Sequence, residues 1–505
     1  MAVCLCSAAT VGVHAADERV LCPDANTRAT PPATGPRIRD LLDELDRLRA
    51  ESLIPAYGIA IVTCAAPAFA DARGSLAGLD ADSPFRIGSI TKTFTALAML
   101  RLAEQQHIDL NAPLTALARN ARPDTSLFDN PWERTDPITP AMLLEHTAGL
   151  AELSAREWAY QDARPISLRE GLALDPSSRR SLWRPGTQHV YSNAAPGLIA
   201  WLIEQRQRST FETFVRNAVL RPLHMRNAGF LPTDRNAARL VAGYKADGTT
   251  PIPYWHQHIR AYAALHASPR DMSKLLATLL AQGEPLLTRE SFERMLTPRT
   301  SLAARRGLKV GYGFGIYGSV RNGFLFYGHG GDADGYLSRF GVLPDAGRGY
   351  FVVINTDNPP ALARFRSAIE RWLTADLTPP IPHSPGAAPN IDLARYAGVY
   401  QRAASRFAAA ERASADAAAG TPARRQQRNL GRELRVSLYA VDEHVQGLQL
   451  RGAVDAILLP TGAPGQFSPS PDAIATSIFA EEHGELYLQG DLGNFIRTTA
   501  SAHAP

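Results

Sequence analysis

The sequence predicts an α+β domain followed by a small antiparallel β domain. β-Rich runs stand at both ends of residues 36–376 with helical segments between them, which is typical of a sheet completed by both ends of its segment. Residues 377–391 are rich in proline and indicate a semi-rigid linker. Residues 392–500 carry short alternating runs separated by glycine and proline, which indicates a small antiparallel barrel or sandwich. The length of 505 residues agrees with two domains, because it exceeds what one core usually holds.

The elements of the first domain follow from the spacing of its apolar residues. Leucines and charges at helical intervals predict a helix over 38–49, and a short β-rich run follows at 57–64. The apolar surface of residues 91–106 is wider than one stripe, so we expect a mostly buried helix there. The other predicted elements are helices at 167–174, 198–203, 211–219 and 361–373, and strands at 313–317, 324–327, 337–343 and 350–354.

The second domain is interrupted by an insert of low complexity. Residues 403–428 are rich in alanine and arginine, and we expect them to be unstructured or loosely helical. The strands predicted around this insert lie at 434–438, 448–450, 457–459 and 485–488.

The first sixteen residues predict export to the periplasm or the exterior. Residues 1–16 are apolar and small, and residues 13–15 resemble the pattern before a signal-peptidase cut, with a buried N-terminal segment as the alternative. The stretch is too short to span a bilayer as an ordinary helix, and no later segment is long enough. Cys22 and Cys64 would remain after cleavage, and they form either a disulfide or two buried thiols.

Charge and composition exclude some classes of function. A net charge of +4 is too dilute for nucleic-acid binding unless it is clustered, and the sequence has no basic stripe interleaved with aromatic residues. Histidines and cysteines show no spacing typical of a metal site, so neither a metal nor an organic cofactor is implied.

One of the few lysines stands where catalysis would use it. Only four of the 53 basic residues are lysines, and Lys92 follows Ser89 by three positions at the head of the predicted helix over 91–106. Arginine does not release its proton in a protein, whereas a desolvated lysine does, so Lys92 is a candidate base for a serine nucleophile. Residues three apart share a helix face, and the amides of a first turn favour a developing oxyanion. The alternative is a helix N-cap followed by a surface lysine.

Four blocks of the sequence stand in a characteristic order, at residues 85–96, 143–150 (LLEHTAGL), 185–193 and 329–331. Together they resemble the serine β-lactamase and penicillin-binding protein superfamily, in its class C-like esterase and D-Ala carboxypeptidase branch. Residues 85–96 resemble its nucleophile motif, and residues 143–150 resemble a second segment. Residues 185–193 are similar to its third block, which ends in Tyr-Ser-Asn, and residues 329–331 to its last motif on an inner strand. The resemblance covers residues 36–376. It implies a β-lactamase/transpeptidase-like fold, in which helices and a helical subdomain flank an antiparallel sheet.

The resemblance implies a role for each matched residue. Ser89 would be the nucleophile, and Lys92 its proton acceptor or a positive charge that tunes the base. Tyr191 would relay protons, with a pKa lowered by Lys92. Asn193 would orient the substrate amide or the lysine. The backbone amides of Ser89 and Asp332 would form an oxyanion hole.

The last motif departs from the family pattern. His329 stands where β-lactamases usually have a lysine that holds the drug's carboxylate, so ester or peptide hydrolysis is expected before antibiotic hydrolysis. Gly331 belongs to the same substrate-binding and oxyanion segment. For His146 a structural role is expected, Ser192 is expected to be a spacer, and Pro196 replaces an aromatic residue of the pocket wall.

The sequence therefore predicts an exported serine hydrolase that forms an acyl-enzyme on Ser89. Its substrate would be a peptide of the D-amino-acid or cell-wall type, such as a peptidoglycan stem peptide, or a small ester. A non-catalytic sensor of cell-wall fragments or β-lactams is the alternative from another class. The segment from residue 392 resembles the lipocalin-like barrel often appended to such hydrolases, and it leaves open a lid, a polymer-binding surface or a lipid or partner site.

Overall fold

A computed structural model describes most of both domains. The described residues are 37–64, 66–118, 127–162, 164–231, 239–379, 392–402, 433–440, 446–452, 454–461, 463–468, 475–482, 484–490 and 493–498. The predicted signal peptide, Cys22, most of the predicted linker and the insert over 403–428 lie outside these ranges.

A six-stranded antiparallel sheet is the centre of the first domain. The strands of this domain are β1 (Ala56–Thr63), β2 (Ala66–Gly74), β3 (Phe85–Arg86), β4 (Ala159–Tyr160), β5 (Gly243–Tyr244), β6 (Pro251–Ile252), β7 (His256–Gln257), β8 (His266–Ala267), β9 (Tyr317–Arg321), β10 (Phe324–Ala333), β11 (Tyr336–Leu343) and β12 (Arg348–Ile354). The sheet has the order β2-β1-β12-β11-β10-β9, and Tyr57 of β1 lies opposite Ile354 of β12. Strands from both ends of the domain therefore complete the sheet, as predicted.

Helices cover both faces of this sheet. They are α1 (Ile38–Glu51), α2 (Thr91–Gln106), α3 (Leu114–Leu117), α4 (Pro140–Leu144), α5 (Leu168–Ala173), α6 (Ala195–Gln207), α7 (Phe211–Val215), α8 (Pro269–Leu280), α9 (Arg289–Leu296), α10 (Leu302–Arg305) and α11 (Pro359–Thr374). Helices α1 and α11 pack on one face, where Leu45 and Phe365 are fully buried with Ile59 of β1. Helices α2, α6 and α8 belong to the larger core on the other face. Strand β1 is apolar on both faces because both faces are covered.

Helix α2 lies in the middle of the larger core, and its polar residues are paired there. Thr93 Oγ1 donates to the carbonyl of Gly315 at 2.6 Å, and Thr95 Oγ1 donates to the carbonyl of Ala261 at 2.8 Å. These bonds satisfy hydroxyls that would otherwise be costly to bury. Lys92, on the same helix, is 3% exposed. The predicted buried helix over 91–106 is confirmed.

The second domain is a closed antiparallel barrel. Its strands are β13 (Gly398–Arg402), β14 (Glu433–Ala440), β15 (Gln446–Gly452), β16 (Ala456–Pro460), β17 (Gln466–Ser468), β18 (Ser477–Glu482), β19 (Glu485–Gly490) and β20 (Gly493–Arg497). Each strand pairs with the next, and β13 pairs with β20 to close the ring. Buried side chains fill the interior, with Tyr400, Leu448, Phe467 and Phe495 each 0% exposed. The structure selects the barrel over the sandwich.

One predicted strand is corrected, and some elements were not predicted. The strand expected at 313–317 begins at Tyr317, because Gly315 has a φ of +63° and a Cβ there would lie 2.5 Å from the Lys92 carbonyl. Helices α8, α9 and α10 lie between residues 220 and 361, where no helix was predicted. Strand β2 was not predicted because its alanines and charges lack a clear alternation.

The structure adds two findings on the expected export. Within the described ranges no helix is long and apolar enough to cross a bilayer. Cys64 is disulfide-bonded. The chain's other three cysteines lie outside the described residues, so the pairing with Cys22 stays a prediction.

Candidate active site

Ser89 lies where the start of α2 meets strand β10. A 3₁₀ turn over Gly88–Ile90 leads into the helix, and Gly88 has a left-handed φ of +52°. A Cβ on Gly88 would lie 2.6 Å from the backbone nitrogen of Asp332, so only glycine allows this approach. The nucleophile candidate is therefore held against the strand that carries the last motif.

The amine of Lys92 contacts Ser89 in a buried pocket. Lys92 Nζ lies 3.0 Å from Ser89 Oγ, 2.7 Å from Asn193 Oδ1 and 3.0 Å from the carbonyl oxygen of Tyr262. Burial lowers the pKa of Lys92 to about 7, while the negative charges of Glu152 and Asp332 oppose this shift. A large fraction of Lys92 is then neutral near pH 7.

The neighbours of Lys92 determine which way its lone pair points. Asn193 Nδ2 donates to Glu152 Oε2 at 3.1 Å, which fixes the amide so that Oδ1 faces the lysine. Asn193 Oδ1 and the Tyr262 carbonyl are acceptors only, and together they take the two N–H groups of a neutral amine. The remaining hydrogen-bonding direction of Lys92 Nζ faces Ser89 Oγ. The arrangement thus leaves the lone pair of Lys92 to accept the Ser89 proton.

Tyr191 lies beside both groups, but its pKa shifts in the opposite direction to the prediction. Its hydroxyl is hydrogen-bonded to Ser89, and Lys92 Nζ lies 4.7 Å from its ring centroid. Burial raises the pKa of Tyr191 well above its ordinary value, and the charge of Glu152 adds to the rise, while the bond with Ser89 opposes it. The predicted lowering of this pKa by Lys92 is wrong, because desolvation of the buried hydroxyl is the largest effect. Tyr191 is a neutral hydroxyl at pH 7.

The free edge of β10 faces the nucleophile turn. Strand β9 pairs with β10 only as far as Gly328, so residues 329–333 are paired on one side only, with β11. A Cβ on Gly331 would lie 1.8 Å from the carbonyl oxygen of Ile87, so the strand lies directly against the turn before Ser89. This contact brings the Asp332 amide next to that turn, as the predicted oxyanion hole requires.

His329 does not present a charge to the cleft. It is 3% exposed, its Nδ1 lies 2.5 Å from the Gly330 carbonyl oxygen, and its Nε2 lies 2.7 Å from the Tyr312 hydroxyl. Burial lowers the pKa of His329 to about 3, and the charge of Lys92 adds to this effect. Both ring nitrogens are used internally. The substrate-binding role of His329 stays a prediction.

His146 supports the segment that carries Tyr191, in agreement with the expected structural role. Its carbonyl accepts from the Val190 amide at 2.8 Å, and its Nδ1 accepts from the Ser192 amide at 3.3 Å. Its ring centroid lies 4.4 Å from that of Tyr191. Burial lowers the pKa of His146 well below its ordinary value, so the ring is neutral.

The structure shows the local roles of Ser192 and Pro196. Ser192 is more than a spacer, because its hydroxyl donates to the Ala151 carbonyl at 2.7 Å and accepts from the Ala194 amide at 3.1 Å. Pro196 is buried in the first turn of α6, where proline is well tolerated.

Sequence reasoning missed Glu152. Its side chain is exposed, and its carboxylate accepts hydrogen bonds from the Leu153 amide at 2.7 Å and from both the amide and the side chain of Asn193. The available signal was an acidic residue two positions after the 143–150 block. Loss of water around its carboxylate raises the pKa of Glu152, while these hydrogen bonds and the charge of Lys92 oppose the rise, so the acidic group interacts directly with the charge of Lys92.

Comparison with known proteins agrees with this geometry. The Beta-lactamase family profile matches residues 44–371, well over half of the chain. A human protein described as putative beta-lactamase-like 1 is 25% identical over 329 residues, which are 63% of this chain and 63% of the relative. This chain thus spans less than two thirds of that relative's length.

Two solved structures share the fold. The octameric penicillin-binding protein homologue from Pyrococcus abyssi has a TM-score of 0.54 at 20% identity, over 92% of this chain and 100% of that chain. The beta-lactamase/D-alanine carboxypeptidase from Yersinia pestis has a TM-score of 0.53 at 20% identity, over 66% of this chain and 98% of that chain. The predicted β-lactamase/transpeptidase-like fold, followed by a closed barrel, is confirmed. With its nucleophile block, its buried lysine and its sheet all inside the matched segment, the chain belongs to the beta-lactamase family, whose members are serine hydrolases.

Proposed function

We propose that this protein hydrolyses an amide or ester by forming an acyl-enzyme on Ser89. The supporting observation is the 3.0 Å contact between Lys92 Nζ and Ser89 Oγ, at a lysine whose other two hydrogen-bond directions end on acceptors. This contact fits a base within reach of the proton it removes.

The proposed reaction has two halves. Neutral Lys92 accepts the Ser89 proton while Oγ attacks the carbonyl carbon, and the oxyanion receives hydrogen bonds from the amides of Ser89 and Asp332. The intermediate then expels the leaving group, which takes the proton from Lys92 through the neutral Tyr191 hydroxyl. In the second half, water loses its proton to Lys92 by the same route and attacks the carbonyl carbon of the acyl-enzyme ester. The bond from this carbon to Ser89 Oγ then breaks, Lys92 returns the proton to Oγ, and the acid product leaves.

The cleft favours a particular kind of acyl donor. The free edge of β10 over 329–333 supports an extended peptide-like substrate, which would add backbone hydrogen bonds to it. His329 is neutral, the charge of Arg339 is paired with Asp332 at 2.9 Å, and the exposed Glu152 is acidic, so a substrate carboxylate finds little attraction there. We therefore place D-amino-acid amides and esters ahead of peptides with a free carboxylate beside the scissile bond. The D-alanine carboxypeptidase from Yersinia pestis, which shares the fold, supports the D-amino-acid class, whereas the charges of this cleft argue against the free carboxylate of a carboxypeptidase substrate.

A small-ester esterase is the second candidate, because a cleft without a cationic group to bind a substrate carboxylate suits an uncharged ester. Assays of a short-chain nitrophenyl ester, a D-alanyl nitroanilide and a D-Ala-D-Ala peptide separate these functions. Turnover of the first two with a low rate on the third is expected. Turnover of the ester alone would select the esterase, and turnover of the dipeptide alone would contradict the charge reasoning.

Covalent labelling tests the acyl-enzyme itself. A fluorophosphonate probe should add one adduct, mapped to Ser89 by peptide mass spectrometry, and Ser89→Ala should take up none. A folded wild-type sample without any adduct would overturn the proposal and favour a non-catalytic sensor.

We also propose that the protein acts outside the cytosol. The apolar residues 1–16 and the disulfide at Cys64 support an oxidising compartment. N-terminal sequencing of the protein from the periplasmic or culture fraction should find residue 16 or 17 as the first residue. A chain that stays in the cytosol with residues 1–16 attached would contradict this.

A further inference from the structure

The C-terminal barrel touches the loop that leads directly into Tyr191. Gln489 of β19 is 1% exposed, and its Nε2 donates to the carbonyl of Thr187 at 3.1 Å. Asn494 of β20 donates through Nδ2 to the carbonyl of His189. The second of these contacts is two residues before Tyr191. Both side chains therefore hold carbonyl groups of the loop over Gly186–Val190, which we call the tyrosine loop.

Helix α10 links the same loop to the barrel a second time. Arg305 donates from Nη1 to the carbonyls of Gly186 and Thr300, and from Nη2 to the Glu482 carboxylate of β18 at 2.8 Å. The Leu302 amide donates to the Thr187 carbonyl at 3.3 Å, so this carbonyl accepts from α10 and from the barrel together.

The barrel also packs against α10 through apolar contacts. Leu302 is 1% exposed and belongs to a buried cluster with three barrel residues, Ala480, Tyr487 and Ile496. A second cluster joins Ala303 and Leu308 to Ile478. The Ala303 amide donates to Gln489 Oε1 at 3.0 Å, so Gln489 bridges α10 and the tyrosine loop with its two ends.

On its inner side the tyrosine loop rests on the buried rings behind the site. The His189 ring stacks on Tyr312 with centroids 5.3 Å apart, and the Val190 amide is bound by His146. The loop is thus clamped between these rings and the barrel. Its position determines where the Tyr191 hydroxyl meets Ser89.

We propose that the barrel is a positioning element for the proton relay, acting through Gln489 and Asn494 on the tyrosine loop. This inference rests on the proposed function and assigns the barrel a part in it. Loss of the two amide donors would leave the carbonyls of Thr187 and His189 without their barrel partners, and the loop would shift. Small misplacements of catalytic groups cost up to about 100-fold in rate.

The test removes the donors while keeping the side-chain shapes. Gln489→Glu and Asn494→Asp replace an N–H donor with an acceptor, and Asn494→Ala excludes an effect of the new charge. Each variant should lower kcat on the substrate that the wild type turns over by about tenfold, with KM within about twofold because no substrate contact is removed. The rate of fluorophosphonate labelling of Ser89 should fall in parallel.

Gln449→Glu is the matched control. Gln449 lies on β15 between the buried Leu448 and Leu450, and the contacts with α10 and the tyrosine loop described above come from β18, β19 and β20 instead. It should keep the wild-type kcat. Asn494 is only half-buried, so its variants are expected to fold even where Gln489→Glu does not.

The outcomes separate this inference from the proposed function. A wild-type chain that neither labels nor turns over substrate defeats the proposed function. A labelling wild type, with folded Asn494 variants that keep the full kcat, defeats the positioning role. A lower unfolding midpoint with unchanged kcat in the folded fraction likewise shows a purely structural contact and overturns the inference.

Discussion

Replacing Glu152 by glutamine should shift the pH dependence of the hydrolase toward acid. The carboxylate stabilises the charged form of Lys92 and so opposes the effect of burial on its pKa, which is about 7 with Glu152 present. The Asn193 side chain lies between the two groups. Its Oδ1 is 2.7 Å from Lys92 Nζ, and its Nδ2 donates to Glu152 Oε2 at 3.1 Å. The change keeps the shape of the side chain and removes its charge.

The size of the shift follows from this separation. Two unit charges roughly 7 Å apart at an effective dielectric constant of about 20 interact by about 2 kcal/mol. The Glu152 side chain is exposed to the cleft, and solvent there screens the interaction, so about one pKa unit is expected. The pKa of Lys92 should therefore fall, and neutral lysine should be available at a lower pH.

The assay is the pH profile of kcat/KM between about pH 5 and 9, which reports groups of the free enzyme. Activity of the wild type should rise through a midpoint near 7, and the midpoint of Glu152→Gln should lie about one unit lower. The plateau should also fall, because the glutamine Nε2 is a donor that faces Asn193 Nδ2. Glu293→Gln, on an exposed ion pair of α9, is the control and should keep both values. An unchanged or raised midpoint in Glu152→Gln would refute Lys92 as the base.

Three further results test the site. Lys92→Arg should keep the fold and lose at least about 1000-fold in kcat, since arginine keeps its proton; a rate within tenfold of the wild type would contradict this. Tyr191→Phe should lose about 100-fold or more, and the wild type should show no alkaline decline from Tyr191 below about pH 10, because its pKa is raised. The pKa values of the buried His146 and His329 are lowered, so the unfolded chain takes up their protons below about pH 6.5, and the free energy of unfolding should fall by roughly 1–2 kcal/mol per histidine between pH 7 and 5. Denaturant titrations at both pH values measure this, and equal midpoints would show that these histidines titrate alike in both states.

The sequence could predict the elements whose signals are local. Ser89 and Lys92 stand one helical turn apart at the head of an apolar segment, and the structure places them on α2 as expected. The alternating runs after residue 392 likewise predicted β-strands, which the structure closes into a barrel.

What the sequence could not supply depends on distant packing. The pKa of Tyr191 depends on how much water its neighbours exclude, and that requires the assembled pocket. Glu152 acquires its place through Asn193, which is 41 positions away. Gln489 reaches Thr187 across 302 positions, a contact that no periodicity encodes.

The pairing of β1 with β12 also has a consequence for how the protein is made. The Ala56 amide donates to Asn355 Oδ1 at 2.8 Å between residues 299 positions apart, and β10 joins the same sheet from near the end of the first domain. Contacts so remote in sequence form slowly, because a long loop must close first. A nascent chain that has been synthesised only a little past Lys92 still lacks strand β10, against which the turn that carries Ser89 packs. The geometry proposed for acyl transfer therefore requires nearly all of the first domain to be synthesised, because β10 and β12 are among its last strands.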